Sequence, residues 1–152
     1  MNILDMLNSP KYPTKEEILA GELKHKKKVI AALKDWKKIV WTNWRANKLG
    51  REKDLRDLFQ TLNQIYEGKP HAMNLIFDRR SCFAPALNTI SLDKPSLISF
   101  LHEYAHSLFG PSELKACRWS VRLFKKVFPK AMNKLKWKGH MLIKTKKVKK
   151  AA

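Results

Sequence analysis

The segment His102-Glu103-Tyr104-Ala105-His106 combines residue types and a spacing that suit metal chemistry. On a helix, residues four positions apart lie on the same face, so His102 and His106 can bind one zinc ion together. Glu103 lies beside them, where its carboxylate can take a proton from a water on that ion. The alternative is a partly exposed helix on which these three groups are ordinary surface residues. The apolar residues around the motif favour a buried helix instead; they are Leu97, Ile98, Leu101, Ala105 and Leu108.

A catalytic zinc site has three protein ligands and one open position, so a third ligand must follow the two histidines. Glu113 lies seven residues after His106, beyond the helix-breaking pair Gly110-Pro111 and in the first turn of the next expected helix. The break lets that helix fold back and present Glu113 to the metal. Glu113 can also be an ordinary first-turn acid favoured by the helix dipole, and His71 and His140 remain as alternative ligands.

Two apolar stripes predict an N-terminal helical hairpin over residues 14–68. Thr14 and Glu17 have the spacing of a capping box, which begins the first helix. That helix is expected to continue to Leu49-Gly50, and the second to stop at Gly68.

The hydrophobic period changes in the middle of the chain. Residues 74–77 and 88–92 are short β-compatible runs separated by a loop, and they predict a small central β-sheet. A helix through the His-Glu motif then opens at residues 93–95 and ends at Phe109, and Ser112 is placed to cap the helix that follows. The expected fold class is therefore α+β and mainly helical.

These residues together resemble a zincin metallopeptidase of the gluzincin type, similar to compact ImmA/IrrE-like and small phage-encoded metallopeptidases. In that group a strand precedes the HExxH helix, and a second helix carries a glutamate, then a small residue, then an aromatic one. Glu113, Ala116 and Trp119 fill the second pattern. The resemblance covers about residues 73–128 and implies a minimal zincin-like fold. The short connection from His106 to Glu113 departs from the large gluzincins.

The resemblance implies a zinc-dependent metallopeptidase that hydrolyses peptide bonds. Zn2+ would be held by His102, His106 and Glu113, and Glu103 would activate water and then pass the proton to the leaving amine. The substrate would be a protein or peptide, bound by edge pairing along the strand that contains Thr89, Ile90 and Ser91. Arg79, Arg80 and Arg118 are alternative oxyanion or substrate contacts.

The chain is strongly basic, with 32 Lys and Arg against 13 Asp and Glu and a formal net charge of +19. This excludes an acidic disordered protein and favours a polyanionic neighbour. No acidic residue follows Glu113, so the excess charge lies mostly in the C-terminal region. Nonspecific nucleic-acid contacts are expected there, with a solvated basic surface as the alternative. The residues concerned are Lys115, Arg118, Arg122, Lys125, Lys126, Lys146, Lys147, Lys149 and Lys150.

The domain boundaries follow from these patterns. An N-terminal arm covers residues 1–13, a single zincin-like domain covers residues 14–138, and residues 139–152 form a basic tail with too few apolar residues to become ordered. Two cysteines are too few for a disulfide scaffold. We find no signal peptide and no transmembrane segment, so we expect a cytoplasmic, intracellular protein, consistent with a phage-infected or mobile-element context. The alternative function is a basic nucleic-acid-binding or partner-binding accessory protein on a zincin scaffold, without proteolytic activity.

Overall fold

A computed structural model describes residues 12–68 and 71–144 and has a mainly helical α+β fold, as the sequence predicts. The helices are α1 (Lys15–Leu19), α2 (Lys27–Val40), α3 (Arg51–Ile65), α4 (Leu97–Phe109), α5 (Glu113–Val127) and α6 (Pro129–Met132). The strands are β1 (Asn74–Phe77), β2 (Cys82–Ala84), β3 (Thr89–Leu92), β4 (Leu135–Lys138) and β5 (Met141–Lys144). Within these ranges no helix has the length and apolar character needed to cross a membrane.

The N-terminal region contains three helices where the sequence predicted two. The capping box is confirmed, since the Thr14 hydroxyl accepts from the Glu17 amide at 3.2 Å and the Glu17 carboxylate accepts from the Thr14 amide at 3.1 Å. Helix α1 nevertheless ends at Leu19, so the prediction of one helix from Thr14 to Leu49-Gly50 is wrong. Gly21 has a φ of +71°, a left-handed conformation that ends the helix there.

Two arginines of α5 hold this break in place. The Arg122 guanidinium donates to the carbonyls of Ala20 at 2.9 Å and Gly21 at 2.6 Å, and Arg118 donates to the same Ala20 carbonyl. These charge-assisted bonds satisfy backbone acceptors that the interrupted helix leaves without partners. The segment between α1 and α2 is thereby attached to α5.

The apolar stripes of α2 and α3 face each other and confirm the predicted hairpin between these two helices. Their buried side chains recur every three or four residues, and they are Val29, Leu33 and Trp36 in α2 and Leu55, Leu58, Phe59 and Leu62 in α3. The Trp36 ring lies 5.3 Å from Trp44 and 6.5 Å from Phe128. The tryptophans on this stripe are therefore used in packing.

The central sheet has the strand order β1-β3-β2, with β1 parallel and β2 antiparallel to β3. β3 is therefore the middle strand, and both of its edges are already paired. The prediction that Thr89, Ile90 and Ser91 bind a peptide by edge pairing is wrong for this reason. β2 had no sequence signal, because three residues are too short to display an alternating pattern; it occupies a segment that was expected to be a loop.

The C-terminal part of the described chain forms a two-stranded antiparallel hairpin of β4 and β5. The prediction of a disordered tail from residue 139 is therefore wrong for residues 139–144. Trp137 and Leu142 pack against a buried cluster of Ile18, Cys117 and Val121, which supplies the apolar contact that the tail was expected to lack. Lys146, Lys147, Lys149 and Lys150 lie outside the described residues.

Replacing Leu142 with alanine tests this packing. We expect Leu142→Ala to lower the free energy of unfolding by about 1–2 kcal/mol. This is less than the loss on truncating a fully buried leucine, because the Leu142 side chain is only half-buried. Ile143→Ala is the matched control, since Ile143 is exposed, and it should change the value by less than about 0.5 kcal/mol. Chemical denaturation measures both. Equal effects would show that the hairpin does not pack on α1 and α5 as described.

Candidate metal centre

One face of helix α4 packs against the core, and another face carries the two motif histidines. Ser96 caps its first turn by accepting from the Ser99 amide, so the helix begins at Leu97, two residues past the expected opening at residues 93–95. Phe100, Leu101 and Tyr104 are fully buried on the core side. This packing fixes the rotation of the helix about its axis and aims both motif histidines at α5.

The chain reverses direction between α4 and α5 at the predicted break. Gly110 has a φ of +83° and a ψ of −157°, a conformation that residues with a Cβ rarely adopt. Ser112 then caps α5 by accepting from the Lys115 amide at 3.2 Å, as its position in the sequence predicts. Ala116 and Ser120 are buried in α5, and such small side chains let the two helices pack closely.

The reversal brings three metal-binding side chains together. The His106 Nε2 atom lies 2.9 Å from Glu113 Oε1, and the His102 Nε2 atom lies 3.2 Å from Glu113 Oε2. The two Nε2 atoms are 3.2 Å apart. Each residue thus offers one ligand atom to a common point. The sequence predicted these three residues as metal ligands, and the structure places them in one cluster.

The hydrogen bonds of His106 show which kind of group can occupy that point. Its Nδ1 atom lies 2.9 Å from the Gly110 carbonyl, which can only accept, so Nδ1 carries a hydrogen. Nε2 then faces the Glu113 carboxylate, and a favourable contact requires a positive charge between the two atoms. That charge is either a second proton on His106 or a metal ion.

The surroundings of His102 favour its neutral form, which is the form that binds metals. Burial is the largest influence on this imidazole and lowers its pKa, although the Glu113 carboxylate opposes the shift. Its Nδ1 atom is 3.8 Å from the Cys117 sulfur. Burial also raises the pKa of the Cys117 thiol to about 12, so this side chain stays neutral beside the site. The sequence analysis did not assign Cys117 to the site. Its position four residues after Glu113 places both side chains on the same face of a helix, and this spacing could have indicated it.

Glu103 lies at the edge of the cluster and has a different environment from Glu113. Its Oε1 atom is 3.9 Å from His102 Nε2, and the residue is buried. Burial raises the pKa of its carboxyl group, while the charge of His106 and a hydrogen bond from the Phe83 backbone oppose the shift. Phe83 lies in β2, so this strand borders the site. A carboxylate with a raised pKa, held beside the ligands, is suited to accept a proton.

The other candidate residues from the sequence lie outside the metal-binding cluster. Among residues 12–68 and 71–144, the metal-binding cluster comprises His102, His106 and Glu113 and does not include His71 or His140. His140 lies in the turn between β4 and β5, with its ring stacked on Tyr12 at 4.2 Å. Its charge is one of the influences that lower the pKa of His102, so it lies near the site. Arg79 and Arg80 are exposed after β1.

The basic residues of α5 divide into two groups. Lys115, Lys125 and Lys126 are exposed, as expected for contacts with an anion. Arg118 and Arg122 are half-buried and hold the segment between α1 and α2. Arg118 and Arg122 therefore have a structural role that no sequence pattern indicated.

Comparison of the chain with protein-family models, with curated proteins and with solved structures finds no match in any of the three. The case for a function therefore depends on the geometry and chemistry of the chain's own residues.

Replacing Glu113 tests whether the cluster binds metal. We expect the wild type to bind one Zn2+ per chain and Glu113→Ala to bind it at least 100-fold more weakly. This loss is larger than the loss typical of mutations at residues outside the ligand set. Glu52→Ala is the matched control, because Glu52 is also an acid in the first turn of a helix. Calorimetric titration with Zn2+ measures all three proteins. Equal affinities in both variants would show that Glu113 serves only the helix dipole.

Proposed function

We propose that this protein is a zinc-dependent metallopeptidase, with His102, His106 and Glu113 as metal ligands and Glu103 as general base. The observation that carries the proposal is the convergence of two Nε2 atoms and the Glu113 carboxylate, with separations of 2.9–3.2 Å, beside a fourth group, the buried Glu103 carboxylate, that is not part of the ligand set. A structural site would have no use for that fourth group. A catalytic site needs it.

The donor set fits zinc. Ligand atoms about 2.0–2.1 Å from a tetrahedral ion lie about 3.3 Å from one another, close to the separations in this cluster. Two imidazoles and one carboxylate leave the fourth position open, as in catalytic zinc sites. Bound Zn2+ would supply a Lewis acid that polarises a carbonyl oxygen and lowers the pKa of a coordinated water.

Glu103 supplies the proton transfers of the proposed reaction. Its carboxylate takes a proton from the attacking water and then delivers it to the nitrogen of the leaving amine. The raised pKa of this group suits both steps, because it holds the proton more tightly than an exposed glutamate would. The Phe83 backbone hydrogen bond keeps the side chain in place while it does so.

β2 replaces β3 as the proposed peptide-binding strand. It is an edge strand, with one side paired to β3 and the other bordering Glu103 through Phe83. An extended peptide paired along that side would lie close to Glu103. On the opposite edge of the sheet, Arg56 and Asn63 of α3 donate to the carbonyls of Leu75 and Ala72, which obstructs strand addition there.

His140 is suited to stabilise negative charge on the substrate. It lies in the turn of the β4–β5 hairpin, and its charge is one of the influences that lower the pKa of His102. A protonated imidazole at that point would interact favourably with the oxyanion that forms when water adds to a carbonyl.

Replacing Glu103 with glutamine separates metal binding from catalysis. Glu103→Gln removes the base but keeps the size of the side chain, so we expect unchanged Zn2+ content and a loss of about 10²–10⁴-fold in the rate of peptide hydrolysis. A fluorogenic peptide library gives the rate, and metal analysis of the same sample gives the occupancy. Glu52→Gln should behave as wild type in both.

Two outcomes would contradict the proposal. If Glu103→Gln hydrolyses peptides as fast as the wild type, Glu103 is not the base. If the zinc-loaded wild type cleaves nothing across the library, the site binds metal without proteolysis, which is the accessory-protein alternative.

A further inference from the structure

We propose that α2 and the C-terminal half of α5 form a binding face for duplex nucleic acid, separate from the metal centre. The face consists of Lys27, Lys34 and Lys38 on α2 and Lys125 and Lys126 on α5, and we refer to it as the α2–α5 basic face. All five side chains are exposed. The sequence indicated basic residues of α5 and the tail, whereas the three residues of α2 become relevant only once the helices are placed side by side.

Three contacts align the two helices. A ring nitrogen of His25, just before α2, lies 2.9 Å from the Trp119 carbonyl of α5. Further along, Lys37 of α2 donates to the Val127 carbonyl at the end of α5, with a distance of 2.7 Å. Arg122 binds the Gly21 carbonyl ahead of α2. The two helices therefore run in the same direction, and their exposed lysines lie on one surface.

Two basic side chains of α5 act on His25, which lies just before α2. The pKa of His25 is lowered mainly by burial, and the charges of Lys126 and Arg122 lower it further. Lys126 also directly precedes Val127, whose carbonyl accepts from Lys37 of α2, so it stands next to a contact between the two helices. Arg122, Lys125 and Lys126 also line a surface depression of about 360 Å³ together with Leu19, and the two exposed lysines among them are available to a phosphate group.

Helix stability does not explain Lys27 of α2, although it does favour Lys38, which stands in the last turn. Lys27 stands in the first turn, at the positive end of the helix dipole, and that turn contains no acidic residue. A cation there is unfavourable. Lys125 and Lys126, in the last turn of α5, are in contrast well placed for the dipole of their own helix. Lys27 is therefore the member of the face whose position calls for a ligand.

The spacing and chemistry of the face fit a duplex. Lys27, Lys34 and Lys38 follow at intervals of seven and four residues along one side of α2 and span about 16 Å. This matches about five base-pair steps at 3.4 Å each. Trp41 and Trp44 nearby stack on each other with ring centroids 5.8 Å apart, and Trp41 also packs on Phe128 at 4.5 Å. Their faces are used within the protein, so the stacking surfaces that single strands need are missing from this face.

A protein partner fits the face less well. Lysine is depleted in the cores of protein interfaces, and the residues that dominate binding there are tryptophan, tyrosine and arginine. The α2–α5 basic face offers five lysines and no such anchor. Phosphate contacts by lysine, in contrast, need no apolar anchor, because counterion release drives them.

The experiment measures binding of the full chain to a 20-base-pair DNA duplex by fluorescence anisotropy at several salt concentrations. In the face variant Lys27, Lys34, Lys38 and Lys126 are all replaced by glutamine. The control variant carries the same change at Lys48, Lys94, Lys136 and Lys138, which are exposed elsewhere, so both have equal net charge. A third variant with arginine at the four face positions keeps the charge.

We expect the face variant to bind at least 10-fold more weakly than the control variant at low salt. The slope of log K against log salt should be smaller by about 3–4 than that of the wild type, since each phosphate contact contributes about 0.9. The arginine variant should bind as the wild type does. A duplex of RNA and a single-stranded DNA of equal length are measured in parallel, and Glu113→Ala should bind the DNA duplex normally, because the face does not depend on the metal centre.

Four results would overturn the proposal. They are absence of duplex binding by the wild type, equal losses in the face and control variants, tighter binding of single-stranded DNA than of either duplex, and lysine-dependent binding to phosphatidylserine vesicles without binding to a duplex. The second result would mean that the overall charge binds nonspecifically, and the last that the face binds membranes.

Discussion

Three electron-pair donors meet between α4 and α5, and their mutual repulsion must be relieved by protons or by a metal ion. The Nε2 atoms of His102 and His106 and the carboxylate of Glu113 are 2.9–3.2 Å apart. Burial disfavours a proton on His102. A shared metal ion satisfies all three groups at once, whereas separate protons would have to charge imidazoles in a partly buried setting. Much of the remaining structure can be understood as what holds these atoms together.

The supporting contacts come from every part of the fold. The Gly110 carbonyl orients His106, so the residue that reverses the chain also positions a ligand. Tyr104, between the two histidines in the motif, donates to the Asn63 side chain of α3 at 2.9 Å and thereby ties α4 to the N-terminal helices. Trp119 of α5 stacks on the Tyr104 ring. β2 contributes the backbone contact to Glu103, and the C-terminal hairpin brings His140 close.

The parts that were predictable from the sequence depend on local signals. The His-Glu motif, the breaking pair Gly110-Pro111 and the cap at Ser112 lie within eleven residues, and local rules for helix ends place all of them correctly. The fold class and the α2–α3 hairpin follow from apolar periods. The clustering of His102, His106 and Glu113 could be anticipated because a helix reversal after seven residues leaves little freedom for Glu113.

The parts that were not predictable depend on distant contacts. The break at Gly21 is held by Arg118 and Arg122, about a hundred residues later in the chain, and an amphipathic stripe on each side conceals it. β2 acquires its role only by pairing with β3, and β5 becomes ordered because Leu142 reaches Ile18 and Cys117. The order of strands in the sheet, which decides where an extended peptide can pair, follows from no single segment.

The most direct test of the metal centre is the anomalous diffraction of zinc-loaded crystals of the full chain. We expect one zinc ion per chain, with His102 Nε2, His106 Nε2 and a Glu113 carboxylate oxygen each about 2.0–2.2 Å from it and the fourth position taken by solvent. Glu103 should lie within hydrogen-bonding distance of that solvent without touching the ion. A zinc ion bound by other residues, or Glu113 turned away from an ion held by the two histidines, would contradict the account.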